Sequence, residues 1–259
     1  MPLNPPFTDW KGKRCWIVGA STGIGAALAD RLAARGARVA LSARRVEPLK
    51  AMAARYGEGN ALVLPLDITD AAALESAALA IETAWKGIDL VVPMAGEYKP
   101  MRATEIDLGV ARTMIEVNLM GYLNVCAAVV PRMLKQKSGT ISLVSSVAGY
   151  RGLPKSLIYG PTKAALINLA ETMYLDLQPR GVAVSVINPG FVRTPLTAQN
   201  EFEMPNIISP EEAAESIVHG LEAGEFEIHF PKAFSRKLKF LRHLPYGMYF
   251  SAIRKSTGL

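Results

Sequence analysis

Two groups of residues have the types and spacing to do chemistry. The first is Gly19-Ala20-Ser21-Thr22-Gly23-Ile24-Gly25, with three glycines in seven residues. Glycine permits a tight turn and lets backbone N–H groups approach an anion with no Cβ in the way. If a helix starts here, its unpaired amides and positive dipole end face the same anion, which suits a pyrophosphate. The spacing is GxxxGxG rather than GxGxxG, so an ordinary glycine-rich turn is the alternative. The second group is Tyr159 and Lys163, four residues apart and so on one face of a helix. A free phenol titrates near 10, too high for easy proton exchange at neutral pH. A neighbouring ammonium favours the phenolate and lowers that value, which makes the pair a candidate proton donor and acceptor. Taken alone it also reads as an exposed Tyr and Lys on adjacent helical turns.

Positioning these groups requires elements that alternate. Cys15 to Val18 is a short apolar run that suits a buried strand, and Ile24, Ala27, Leu28 and Leu32 then share one helical face. Arg38–Ala43, Ala61–Leu66, Asp89–Met94, Gly139–Ser145, Val182–Ile187 and Phe226–Phe230 read as further strands. Helices fit Val46–Tyr56, a stretch capped by Asp70 and running to about Trp85, Arg112 to about Lys135, Tyr159 to about Gln178, and a segment opened by Pro210. Strands alternating with helices of ten or more residues predict right-handed crossovers and a parallel sheet covered on both faces, the doubly wound fold. Its ligands bind outside the carboxyl ends of the strands.

The second strand ends Ser42-Ala43-Arg44-Arg45 with no carboxylate. An arginine fork there can pair with a phosphate, or it is a solvated basic helix start.

Taken together, these features resemble the short-chain dehydrogenase/reductase family over about Lys13 to Glu227. That family has GxxxGxG after its first strand and a YxxxK helix. The resemblance implies a Rossmann fold with a seven-stranded, mostly parallel sheet, and a nicotinamide dinucleotide. Gly19, Ser21, Thr22, Gly23, Ile24 and Gly25 would hold its phosphates. Members that prefer NAD carry an acid where this chain has Arg44 and Arg45, so NADP(H) is expected over NAD(H). Asp67 and Ile68 would hold the adenine, and Ala95 and Gly96 would lie against the ribose. Pro189, Gly190, Val192 and Thr194 match PGxVxT, whose backbone and Thr contact the nicotinamide carboxamide. Asn118, Ser146, Tyr159 and Lys163 match the family's catalytic set, and Asn118, Tyr159 and Lys163 also its cofactor contacts. The implied roles are a proton relay through water for Asn118, carbonyl orientation for Ser146, acid–base chemistry for Tyr159, and pKa lowering and ribose binding for Lys163. One departure stands out. Pro93-Met94-Ala95-Gly96 replaces the usual Asn-Asn-Ala-Gly, which removes side chains that brace the neighbouring strands.

The expected function is an NADP(H)-dependent oxidoreductase interconverting a small, apolar carbonyl and its alcohol. A dinucleotide-binding protein without turnover, serving regulation or a membrane surface, is the alternative. Leu196, Phe202, Met204, Ile207 and Ile208 could form an apolar lid over the substrate, or an ordinary connection.

A catalytic domain over 1–231 followed by an extension over 232–259 is expected. Seven Lys or Arg and no Asp or Glu fall from Lys232 onward, and without them the formal charge drops from +6 to −1. Nucleic-acid binding by the body therefore loses its electrostatic basis. Phe234, Leu238 and Leu241 share one face of the tail, Pro245 and Gly247 interrupt it, and Tyr249 and Ile253 continue it. Such a basic amphipathic segment suits peripheral contact with an anionic membrane, or docking on the domain, the substrate cleft or a partner subunit. The family likeness implies a homodimer or homotetramer through the long helices. Cys15 and Cys126 read as buried small hydrophobes in a reducing compartment, not as metal ligands. The N-terminus does not read as a signal peptide, and no run of about 18 consecutive apolar residues predicts a spanning helix. A cytoplasmic protein, possible at the membrane periphery, is the expectation.

Overall fold

The structure, a computed structural model, describes residues 1–199 and 203–258. Among these, seven strands form one sheet: β1 (Arg14–Val18), β2 (Arg38–Ser42), β3 (Ala61–Val63), β4 (Leu90–Pro93), β5 (Thr140–Val144), β6 (Ala183–Pro189) and β7 (Glu227–Phe230). Their order is β3-β2-β1-β4-β5-β6-β7 and every pairing is parallel. Consecutive residues of β4, β5 and β6 are all buried. Side chains alternate between faces along a strand, so both faces are covered. The covering helices are α1 (Gly23–Ala34), α2 (Val46–Ala53), α3 (Ala71–Trp85), α4 (Leu108–Ile115), α5 (Gly121–Gln136), α6 (Tyr159–Leu177) and α7 (Pro210–Glu222). Two more, α8 (Lys232–Arg242) and α9 (Tyr246–Thr257), complete the chain.

Polar residues fix the helix starts. Asp70 accepts from the Ala73 amide at 2.9 Å and Asp107 from Gly109 and Val110 at 2.8 and 3.0 Å. Ser209 and Glu212 form a reciprocal capping box before α7. At the foot of the sheet Arg14 and Asp89 join β1 to β4 through a 2.6 Å ion pair. Burial works against the Asp89 charge, but hydrogen bonds from Arg14 hold its pKa below the usual carboxylate range.

The structure refines several expectations. The long helix starts at Leu108, and a π turn over Glu116–Met120 joins α4 to α5. The run Leu108–Gln136 is long and apolar enough to cross a membrane by length and composition. It is nonetheless a core helix, with Met114, Tyr122, Val125, Val129 and Met133 buried, and Arg132 bridges to Glu75 and Glu82 of α3. Finally, the ladder between β4 and β5 stops at Val91↔Ile141, whereas that between β4 and β1 reaches Val18↔Pro93. The Met94 amide bonds to Val18 of β1. Amides alternate sides along a strand, so the one that Pro93 lacks belonged to β5.

Candidate active site

Between β1 and β4 the strand order reverses, and a cleft of about 530 Å³ opens at their carboxyl ends. The glycine turn forms its floor. Gly19 sits at φ +106°, and a Cβ there would meet the Ala95 nitrogen at 2.5 Å. A Cβ on Gly25 would overlap the Gly19 carbonyl oxygen, so the turn closes only with glycine at both positions. Thr22 stands at the start of α1 in extended conformation, and no side chain caps the helix. The first-turn amides and positive dipole end therefore serve the cleft. The cradle that a Cβ would fill, together with these amides, fits a dinucleotide pyrophosphate.

Further along the cleft, Arg45 reaches back to the glycine turn, where Nη2 donates to the Ser21 hydroxyl at 3.3 Å. Arg44 is largely exposed and lies 3.9 Å from Asp67, a loose pair. The Asp67 carboxylate accepts from the Thr69 amide and hydroxyl at 3.0 and 2.9 Å. The amide bond chiefly holds its pKa below the ordinary range. Ile68 packs on Gly121, where a Cβ would come within 2.8 Å of the Ile68 side chain.

The opposite bank carries the hydroxyls and the lysine. Ser146 follows β5; its hydroxyl accepts from the Ala148 amide at 3.1 Å and donates to the Pro189 carbonyl at 3.3 Å. Tyr159 opens α6, and Tyr98 meets its ring edge-on at 5.0 Å. Tyr159 retains some surface in the cleft, yet protein surrounds the phenol, and this desolvation pushes its pKa up to about 12. The Ser146 hydroxyl acts in the opposite direction, and Tyr98 adds to the rise. Lys163 is buried, with Nζ donating to the Val144 carbonyl at 3.0 Å and lying 5.6 Å from the Tyr159 ring centre. Burial lowers its own pKa to about 7. In this geometry the ammonium is committed to Val144, and the phenol is not brought down by it.

Of the catalytic and cofactor residues named from the sequence, all line the cleft except Asn118; of the expected lid, Leu196 lines it and Met204, Ile207 and Ile208 do not. Asn118 is fully buried in the π turn, and its side chain clamps the backbone of one residue on both sides of its Cα. Its oxygen accepts from the Glu97 amide and its nitrogen donates to the Glu97 carbonyl, both at 2.8 Å. Asn118 thereby fixes the segment after β4 to the π turn. Tyr122 had no place in the sequence reading. It lies one turn after Asn118, is fully buried, and bonds to the Ala95 carbonyl at 3.1 Å. The Lys163 ammonium sits 5.2 Å over its ring. Its i+4 spacing from Asn118 was the available signal.

After β6 the chain crosses above the glycine turn. A Cβ on Gly23 would meet the Thr194 methyl at 3.0 Å, and one on Gly96 would lie 3.9 Å from Leu196. Leu196 thus overhangs the cleft, while Val192 and Ile208 are joined by a β-bridge. Phe202 of the expected lid lies outside the described residues.

A parallel sheet with a glycine cradle at its switch point and a Ser, Tyr and Lys on the facing bank defines a nucleotide-dependent α/β oxidoreductase. More narrowly, the family described as short chain dehydrogenase matches residues 13–204, and the chain belongs to it. An uncharacterized oxidoreductase of Myxococcus xanthus is 35% identical over 92% of this chain and 95% of its own. One of Staphylococcus epidermidis is 33% identical over 82% and 91%. In crystal structures, a short chain dehydrogenase from Burkholderia cenocepacia in complex with NADP superposes with a TM-score of 0.84 at 25% identity. That match covers 95% of this chain and 99% of the other.

Proposed function

We propose that the protein is an NADP(H)-dependent enzyme that interconverts an apolar carbonyl compound and its alcohol. The observation that carries this is the Tyr159 phenol beside the Ser146 hydroxyl, across the cleft from the glycine cradle, with Lys163 buried behind. The NADP-bound Burkholderia relative and the Arg44–Arg45 pair support the phosphate-bearing cofactor.

When bound, the nicotinamide would supply the hydride for the carbonyl carbon, or take it up in the reverse direction. The chain's residues do the rest. Amides of the glycine turn and of α1 hold the pyrophosphate. Arg44 and Arg45 hold the 2′-phosphate by charge-assisted hydrogen bonds. Ser146 donates to the substrate oxygen and stabilises its growing charge. Tyr159 delivers the proton to that same oxygen. Lys163 would hold the nicotinamide ribose and resupply the proton through a water relay beside Asn118. Asn118 acts here as a positioning residue, because its amide is committed to Glu97. Tyr98 and Leu196 border the reacting end and favour an apolar substrate.

Loss of NADPH absorbance across a panel of aldehydes and ketones tests the proposal, with Tyr159→Phe as control. Turnover that survives this change unaltered would overturn the mechanism.

A further inference from the structure

We propose that the outer faces of α8 and α9 form a docking surface for an anionic lipid bilayer. Both helices are fixed to the domain by their inner faces. Ser235 of α8 is buried and bonds to His229 of β7 at 2.7 Å. Tyr249 and Ile253 of α9 are buried, and the Tyr249 hydroxyl donates to the Gly152 carbonyl at 2.7 Å. The Arg151 guanidinium lies 4.5 and 4.1 Å over the Tyr246 and Tyr249 rings and donates to the Leu241 and Leu244 carbonyls at 3.3 and 2.7 Å. The tail cannot roll over to hide its other side without breaking these contacts.

That other side is apolar and cationic at once. Phe240 is 68% exposed, Tyr246 70%, Met248 59% and Phe250 52%. On α8, Phe240 stands one turn beyond Arg236 and Lys237; on α9, Arg254 stands one turn beyond Phe250. Of the tail's cations, Lys232 pairs with Glu225 and Lys239 with Glu227. Arg236, Lys237, Arg242, Arg254 and Lys255 meet no carboxylate among the described residues.

Charge and hydrophobicity together select the occupant. A nucleic acid would satisfy the cations through its phosphates but leave Met248 and most of the aromatic surface in water. A second copy of the same surface would set unpaired cations against cations, with no acid in the tail to compensate. An anionic bilayer accepts both sets: headgroups neutralise the Lys and Arg, and the apolar side chains enter the acyl boundary.

Flotation of the full-length protein with vesicles of phosphatidylcholine alone, or of phosphatidylcholine with phosphatidylglycerol, tests this. Binding only to the anionic vesicles, weakened by salt, is expected. Arg236→Gln with Lys237→Gln should lower the partition coefficient about thirtyfold, taking about 1 kcal/mol for each cation. Phe240→Ser with Phe250→Ser should also weaken binding and leave NADPH turnover unchanged. No binding to anionic vesicles at low ionic strength overturns the proposal. So does unaltered binding by both double variants, tighter capture of duplex DNA than of vesicles, or conversion of a dimer to a monomer by the Phe240→Ser, Phe250→Ser change without loss of vesicle binding.

Discussion

Lys163 donates its ammonium hydrogen bond to the carbonyl of Val144, the last residue of β5, at 3.0 Å, and no carboxylate among the described residues shares it. Burial therefore acts on this charge without compensation and lowers its pKa to about 7. In the unfolded chain a lysine titrates near 10.4. Between these values the unfolded state binds more protons than the folded one, so stability rises with pH across this window. The penalty is complete below about 7 and gone above about 10. Urea unfolding should show wild type gaining about 1 kcal/mol per pH unit relative to Lys163→Met from pH 7 to 9. Parallel profiles for the two proteins would show that the ammonium is not desolvated.

Tyr159→Phe keeps the ring and its contact with Tyr98 but removes the proton. Turnover should fall by about 10²- to 10⁴-fold. NADPH affinity, read by quenching of protein fluorescence, should change by less than about threefold, because the glycine turn and arginines are untouched. An equal loss of binding and turnover would make Tyr159 a cofactor contact only.

Arg45→Ala with Arg44→Ala removes the cations proposed to hold a 2′-phosphate. Loss of charge-assisted bonds at about 1.5–3 kcal/mol predicts a ten- to hundredfold drop in kcat/KM for NADPH. The value for NADH should stay the same or rise. Equal losses with both cofactors would place the arginines elsewhere in the chemistry.

Glu227 is a crossing point between the tail and the β6 strand. Its carboxylate accepts from Tyr150 at 2.6 Å, Asn188 at 2.9 Å and Lys239 at 2.6 Å. Burial opposes the charge, but these donors hold its pKa below the ordinary range. Glu227→Gln should cost about 1–3 kcal/mol near neutral pH. The gap to wild type should narrow as pH falls through the folded-state titration, since that stabilisation exists only while the carboxylate is ionised. A pH-independent gap would mean that shape, not charge, holds the crossing point.

Much of this was legible in the residues. Gly19, Gly23 and Gly25 announce a turn because only glycine tolerates the φ values and the close approach to Ala95 and Thr194. Strand–helix alternation implied the parallel order because crossovers are long and one-handed. The π turn was hidden, since Glu116–Met120 contains neither proline nor glycine and its extra residue does not break the apolar pattern. The role of Asn118 was hidden for a related reason. Its partner is the backbone of Glu97, a group that every residue carries and no side-chain spacing reveals. Strand β3 shows a third limit. The apolar run to Leu66 suggests a longer strand, but the regular ladder with β2 covers only Ala61–Val63, and beyond it the Leu64 and Leu66 amides alone reach Leu41 and Ala43. In the tail, a docked helix and an outward basic face look like alternatives in the sequence, because amphipathicity names two sides without saying what covers each. The structure leaves room for both, one on each side.

The Phe234 ring of α8 stands where a Cβ on Gly190 would come within 2.9 Å of it, and Phe191 lies 5.2 Å from the same ring. Gly190 is also the hinge of the segment that carries Thr194 over the glycine turn. Helix α8 is thus a wedge under the roof of the cleft. A change in how α8 seats Phe234 would reach the cleft from a distance, without altering any residue that lines it.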